Sequence, residues 1–222
     1  MAELCSGSPS DLPSATHRVY LRIRRMIVTG EIAPGEKLKI EALKTRLEAG
    51  TAPIREALSL LTSDQLVERI DQRGFRAAPS SKAQFHEILK LRCVLDVMAL
   101  RQSIANATPE WQEDLVLRLH RLTRAKRDEG GDAFENRHKA FHMALLANCG
   151  SPILLKLCDQ LYDLNIRYRY LAGEAIDYGA RDIAAEHAEM MAAILDHDAD
   201  RAATSLVAHY QATGRFLAEN LR

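Results

Sequence analysis

The chain has 222 residues, of which 47% are hydrophobic and 27% are charged, a balance typical of water-soluble globular proteins. Its formal net charge is zero, yet residues 17–78 carry 12 Lys or Arg against 8 Asp or Glu, a net charge of +4, and the remainder carries −4. This asymmetry favours a DNA-binding module joined to a separate partner domain. No apolar run approaches the ~20 residues that span a bilayer, and no secretory signal is visible, so we expect a cytoplasmic protein outside the membrane.

The N-terminal residues are polar, and patterns typical of helices follow them. Residues 1–15 are rich in Ser, Pro and Gly and predict a flexible tail. Apolar residues at helical spacing predict a first helix over residues 16–29, which Gly30 ends. The same spacing predicts a short second helix over residues 40–47.

The stretch GTAPIREALSLL, residues 50–61, predicts a third helix with two faces. Thr51 is expected to cap it, and Pro53 falls in the first turn, where a missing N–H costs little. An apolar stripe at i, i+3, i+4 and i+7 predicts the buried side, formed by Ile54, Ala57, Leu58 and Leu61. Taken alone, the stretch fits an ordinary surface helix equally well.

A strand–turn–strand pattern follows this helix. Residues 66–70 alternate apolar and polar side chains, the sequence DQRG is a turn, and FRA is a return strand. The order of three helices and a hairpin indicates a winged helix-turn-helix, with residues 50–61 as the recognition helix in the major groove. Arg73, at the tip of the hairpin, is placed to reach a phosphate or a minor groove.

Three motifs in this part of the chain resemble the winged-helix domain of the GntR family of bacterial transcription regulators. Their sequences are TGEIAPGEKL, PIREAL and LVERIDQRGFRA. The family usually has Ser-Arg-Thr-Pro before Val-Arg-Glu-Ala-Leu. Here the aligned run is Gly50-Thr51-Ala52-Pro53, so Thr51 stands where an arginine usually meets the DNA. The resemblance implies binding to double-stranded operator DNA, though not to the family's usual operator. The implied contact residues are Arg46, Thr51, Arg55, Arg73 and Gly74.

The rest of the chain has almost no strand signal. Six helical patterns with short connections predict an α-helical bundle, over about residues 82–106, 108–128, 133–148, 151–171, 181–197 and 200–220. This half resembles the FCD-type effector domain of the FadR subfamily of GntR regulators. The expected fold is therefore mainly α, with an N-terminal winged helix-turn-helix over 16–79 and an all-α effector-binding and dimerisation domain over 82–220.

Histidines in three predicted helices of the bundle suggest a metal site. His138 and His142 are four residues apart, so both side chains leave one helix face. The resemblance implies a metal held by His142, His187 and His209, with His138 at a position that is usually acidic. Four imidazoles suit a divalent transition metal, zinc first and nickel as an option, better than calcium or magnesium. The alternative is that these are ordinary histidines, as we expect for His17, His86, His120 and His197.

Two arginines are candidates for binding a small carboxylate effector. Arg92 precedes Asp96 by four residues, so it either pairs with a ligand carboxylate or forms a structural helix pair with Asp96. In the run Arg167-Tyr168-Arg169-Tyr170 the two arginines cannot share a helix face, and we take Arg169 as the one that points inward.

These features predict a transcription regulator that responds to a small organic acid. One alternative is a metal sensor in which the ion is the signal. A metalloenzyme is less favoured, because no general base stands beside the histidines at a recognisable spacing and the DNA-binding part would be unexplained. One small winged helix reads too few base pairs for genomic specificity, so we expect a homodimer on two half-sites.

Overall fold

The computed structural model describes residues 14–71, 73–125, 131–172 and 181–220. The chain divides into two compact units, residues 1–79 and 80–222. The predicted flexible tail lies outside the described residues, except for Ser14 and Ala15, where the first helix begins. In the described parts of the chain, no helix is both long enough and apolar enough to cross a membrane.

The first unit contains three helices and a small sheet, which are α1 (Ala15–Val28), β1 (Lys37–Leu38), α2 (Ile40–Leu47), α3 (Thr51–Ser63), β2 (Val67–Ile70) and β3 (Gly74–Ala77). The predicted hairpin is present as the antiparallel pair β2–β3. Strand β1 was not predicted; it pairs antiparallel with the other edge of β3, giving the order β1-β3-β2. A strand of two residues is too short to show the alternation on which sequence prediction depends.

The core of the first unit lies between α1 and α3. The four residues of the predicted stripe are fully buried, and Ile23 and Ile27 of α1 are buried equally. The prediction that Thr51 caps α3 is wrong. The N-cap is Gly50, in an extended conformation, and Thr51 is already the first helical residue. The apolar stripe therefore fixes one face of α3 inward and leaves Thr51 and Arg55 exposed.

The second unit is an all-α bundle, as predicted, and its helices are α4 (Lys82–Ala105), α5 (Pro109–Thr123), α6 (Gly131–Leu146), α7 (Pro152–Leu171), α8 (Ile183–Leu195) and α9 (Ala199–Asn220). Helix α4 packs against α7 and α9, α5 packs against α6 and α8, and α8 packs against α9. The predicted end of the second bundle helix at residue 128 is wrong, because α5 ends at Thr123.

Polar side chains define where several bundle helices begin. Ser81, Thr108, Ser151 and Asp182 each accept a hydrogen bond from the backbone N–H three residues later. Such a cap satisfies one of the free N–H groups of the first turn. A proline follows Thr108 and Ser151 at the start of α5 and α7, where its missing N–H costs nothing. The Asp182 cap fixes the start of α8, which carries His187.

Trp111 joins α5 to α6. Its Nε1–H donates to the carbonyl of Ala144 at 2.8 Å, and the side chain is 8% exposed. It is the single tryptophan of the chain, so its fluorescence reports on the second unit. Leu115, one turn further along α5, is fully buried, whereas Leu117 is 45% exposed.

We predict that Leu115→Ala lowers the free energy of unfolding of the second unit by about 2–5 kcal/mol, because it leaves a cavity in a packed core. Denaturant unfolding followed by Trp111 fluorescence measures this change. Leu117→Ala is the matched control and should shift the midpoint little. Equal shifts for the two variants would contradict the packing of α5 described above.

Candidate metal centre

Three helices of the bundle bring four histidines together. His138 and His142 lie one turn apart on α6, His187 lies on α8, and His209 lies on α9. Their exposed fractions are 7%, 1%, 3% and 5%. One ligand nitrogen from each lies within 4.8 Å of the other three. The four other histidines, His17, His86, His120 and His197, are exposed.

The four rings pack against one another at different angles, from 26° between His142 and His209 to 74° between His142 and His187. Ring centroids are 4.4 Å apart for His138 and His142 and 4.7 Å apart for His187 and His209. The buried Nε2 atoms of His142 and His187 have no hydrogen-bond partner. Buried side-chain nitrogens are normally hydrogen-bonded, so two unsatisfied ones facing a cluster of imidazoles need an explanation.

The other ring nitrogen of three histidines faces a polar side chain. His209 Nδ1 lies 2.7 Å from Glu186 Oε2, and His138 Nδ1 lies 2.6 Å from the hydroxyl of Tyr162. His142 Nδ1 lies 3.5 Å from the hydroxyl of Tyr210. Such contacts fix a ring's orientation. Glu186 and Tyr210 can accept a hydrogen bond from Nδ1 of His209 and His142, which leaves Nε2 of these two rings available as a ligand atom.

Burial keeps these imidazoles in the neutral form. Desolvation, with the neighbouring His209 acting in the same direction, lowers the pKa of His187 to about 3. Burial also lowers the pKa of His138 and His142 well below the usual value, with the neighbouring histidines acting in the same direction. The pKa of His209 is lowered by burial against the opposing effect of Glu186. Neutral imidazole is the form that binds a metal.

The donor set fits a transition metal. Zinc–nitrogen bonds of about 2.0–2.1 Å in a tetrahedral site place the nitrogens roughly 3.3 Å apart. The 4.8 Å limit on the nitrogen separations is wider than this, so small rotations of the imidazoles would complete such a site. The set contains only nitrogen ligands, which disfavours calcium and magnesium.

The sequence of the second unit matches a known domain. The FCD domain family matches residues 87–212. A second family, described as "Bacterial regulatory proteins, gntR family", matches residues 15–76. The chain belongs to the GntR family. The four histidines all fall within the FCD match, and the residues expected to contact DNA fall within the other.

Curated relatives of this GntR-family chain are transcription regulators. The HTH-type transcriptional repressor GlaR of Escherichia coli (strain K12) is 32% identical over 86% of this chain and 90% of GlaR. The HTH-type transcriptional regulator BphR of Paraburkholderia xenovorans (strain LB400) is 33% identical over 92% of this chain and 85% of BphR. The solved structure of E. coli McbR shares the fold, with a TM-score of 0.81, 24% identity, and coverage of 94% of this chain and 99% of McbR. The chain is thus a DNA-binding transcription regulator and not an enzyme.

Arg92 of the FCD domain is held in a buried network. Its guanidinium contacts Asp96 at 3.2 Å and donates to Asn165 Oδ1 at 2.9 Å. It lies over the ring of Tyr210 at 4.1 Å and that of Tyr162 at 5.0 Å. The structural pair with Asp96 is therefore present, and Arg92 also faces the cavity beside the histidines.

A cavity of about 30 Å³ adjoins the histidine cluster. Arg169 lines it, lies 3.4 Å from His138 Nδ1 and pairs with Glu135 at 2.8 Å. Arg167 is buried and does not line this cavity. Phe85, Leu89 and Phe134 are among the apolar residues that form the remaining wall.

The residues expected to contact DNA all lie in the first unit. Thr51 and Arg55 are exposed on the first and second turns of α3. Arg73 and Gly74 are exposed at the β2–β3 turn, where Gly74 has a φ of +98°, which favours glycine. Arg46, in the last turn of α2, forms an ion pair with Glu31 that the sequence did not reveal.

The sequence indicated Asp96 as a partner of Arg92, but it did not reveal the other side chains that orient the site, which are Tyr162, Asn165, Glu186 and Tyr210. Glu186 is adjacent to His187 in sequence, but it contacts His209, which is 23 residues away. Adjacent residues on a helix point in different directions, so this partner becomes evident only once α8 and α9 are packed together.

Proposed function

We propose that this regulator holds one divalent transition metal on His138, His142, His187 and His209, and that a small carboxylate bound beside the ion controls the protein's affinity for operator DNA. The observation that carries the proposal is the buried group of four neutral imidazoles, two of which have an unsatisfied Nε2. Zinc is the expected ion, and nickel is also compatible with four nitrogen ligands.

The proposed effector site combines the ion with two guanidinium groups. A carboxylate oxygen can add a fifth ligand to the ion while another oxygen accepts hydrogen bonds from Arg92 or Arg169. Arg92 is already oriented by Asp96 and Asn165, so it would offer its remaining N–H groups from a fixed position. Arg169 is paired with Glu135, and an incoming carboxylate would compete for it.

Control of DNA affinity requires that the ligand favours one arrangement of the protein. The ion would join α6, α8 and α9 through its ligands, and a carboxylate on Arg92 and Arg169 would add α4 and α7. A ligand that spans five helices can stabilise one packing of the bundle over another. Its effect on DNA binding cannot exceed its difference in affinity for those two states.

The size of the cavity favours a second candidate, in which the ion itself is the signal. A volume of about 30 Å³ holds roughly two water molecules. An operator-shift assay separates the candidates when zinc is titrated first and a panel of small acids is added afterwards. A response to zinc alone supports a metal sensor, and a response that requires an acid supports the effector model.

We further propose that a second copy of this chain covers exposed apolar residues on α4 and α7. Leu91, Val94 and Met98 recur at helical spacing on the outer side of α4 and are 42%, 58% and 50% exposed. Ile153 and Leu157 are 78% and 43% exposed on α7, which packs against α4. An apolar patch on both helices fits a homodimer interface, and two DNA-binding units match two operator half-sites.

The first prediction concerns DNA. Arg55→Ala should reduce specific affinity by about 1–3 kcal/mol, because it removes a base or phosphate contact from α3. The probe is a DNA fragment that the wild-type protein selects from a random-sequence library. Arg121→Ala, an exposed arginine on α5, controls for the loss of one positive charge and should bind normally. Unchanged affinity for Arg55→Ala would show that α3 is not the recognition helix.

The second prediction concerns the metal. Purified wild-type protein should bind one zinc ion per chain, and a free zinc concentration of 100 times Kd should add about 2.7 kcal/mol of stability. His142→Ala and His187→Ala should lose both the ion and the zinc-induced rise in melting temperature. His120→Ala, at an exposed position, should keep both. Retention of zinc by both cluster variants would contradict the assignment of the ligands.

The third prediction concerns assembly. Val94→Asp should convert the dimer into a monomer at micromolar concentration, because it buries a charge in the proposed interface. Val116→Asp is the matched control, since Val116 is 49% exposed on α5, and it should remain dimeric. Light scattering measures the molar mass. A dimeric Val94→Asp variant, or a monomeric wild-type protein, would contradict the proposed interface.

A further inference from the structure

Glu186 and Arg181 form a hydrogen-bonded ion pair beside His209. Glu186 Oε2 lies 2.7 Å from His209 Nδ1, and Glu186 Oε1 accepts a hydrogen bond of 2.8 Å from Arg181 Nε. Arg181 also donates to Oε2 of the same carboxylate at 2.5 Å, so the pair is bidentate. The carboxylate therefore has a fixed orientation and directs one oxygen at the imidazole.

The same arginine is tied to the helix that carries His209. Arg181 Nη1 donates to Thr213 Oγ1 at 3.1 Å, and Nη2 lies 3.4 Å from the carbonyl oxygen of His209. Thr213 Oγ1 also donates to that carbonyl at 3.0 Å. These contacts join the start of α8 to one turn of α9, so the carboxylate and the imidazole are held by a shared set of bonds.

A carboxylate partner dictates which nitrogen of the ring carries the proton. An ionised carboxylate can only accept hydrogen bonds, so a neutral His209 must carry its hydrogen on Nδ1. The lone pair then lies on Nε2, the atom free to bind a metal. A partner that could also donate would allow the opposite tautomer, in which the hydrogen on Nε2 blocks coordination.

We propose that Glu186, held by Arg181, is a positioning residue that fixes His209 in the Nδ1–H tautomer and thereby strengthens metal binding at the histidine cluster. This inference rests on the proposed metal centre. It adds a role for Glu186 in the affinity of the site, although Glu186 is not itself a ligand. The Tyr162 hydroxyl that faces His138 can donate or accept, so it imposes a tautomer less strictly than a carboxylate does. The Tyr210 hydroxyl donates its hydrogen to Asp96 and can only accept from His142, but at 3.5 Å this contact is longer than that between Glu186 and His209.

Glu186→Gln keeps the size of the side chain and removes the constraint. The amide presents one acceptor and one donor, and Arg181 competes with His209 for its single oxygen. Both tautomers of His209 then become accessible, and the stabilisation of the metal-bound ring by a negative charge is lost. We expect zinc affinity to fall about 10- to 100-fold, the usual effect of losing an outer-shell partner of a metal ligand.

The matched control is Glu189→Gln, the same change one turn away on α8. Glu189 is 59% exposed and pairs with Arg201 at 3.2 Å, away from the histidines. Zinc affinity is measured in the full chain by competition with a chromophoric chelator. The melting temperature of the zinc-free protein shows whether each variant folds, and a purely structural role for Glu186 would lower that temperature without a selective loss of zinc affinity.

A second measurement does not depend on the metal. Nitrogen-15 NMR of histidine-labelled, zinc-free protein reports the tautomer of each ring, and the His209 signals are assigned from their absence in His209→Gln. The wild-type protein should show His209 with the hydrogen on Nδ1, and Glu186→Gln should show a mixture. An Nε2–H ring in the wild type, or equal zinc affinities for Glu186→Gln and Glu189→Gln, would overturn the inference. If the wild type binds no zinc, the proposed metal centre fails, and the tautomer alone decides the role of Glu186.

Discussion

The burial of four imidazoles around one point is the constraint on which the second unit depends. Each ring is taken out of water, and the two unsatisfied Nε2 atoms of His142 and His187 lose hydrogen bonds that water would provide. Burial of such groups costs free energy unless a partner is supplied. A bound cation would supply that partner to all four rings at once, which gives a physical reason for this arrangement.

The packing of the helices brings the four imidazole rings together, and polar side chains around them fix their orientation. The Tyr210 hydroxyl donates to Asp96, which in turn holds Arg92, and Arg92 bonds to Asn165 on α7. This network connects α4, α7 and α9 behind the histidines. The cluster and the two arginines therefore belong to one bonded assembly, so a ligand that alters one part can affect the packing of several helices.

Much of the fold could be predicted from the sequence, because apolar spacing and capping residues are local signals. The four-residue spacing of His138 and His142 placed them on one helix face, and the resemblance to FCD domains supplied His187 and His209. Other features could not be predicted because they arise from packing. The contact of Glu186 with His209 depends on how α8 and α9 meet, and β1 is defined by its pairing with β3 rather than by its own two residues.

X-ray absorption at the zinc edge of the zinc-loaded chain measures whether the four histidines bind one metal ion. We expect nitrogen ligands at about 2.0–2.1 Å, with the outer-shell signal of at least three imidazoles and no sulfur. A sulfur shell at about 2.3 Å, or fewer than three imidazoles, would show that these histidines do not form the metal centre.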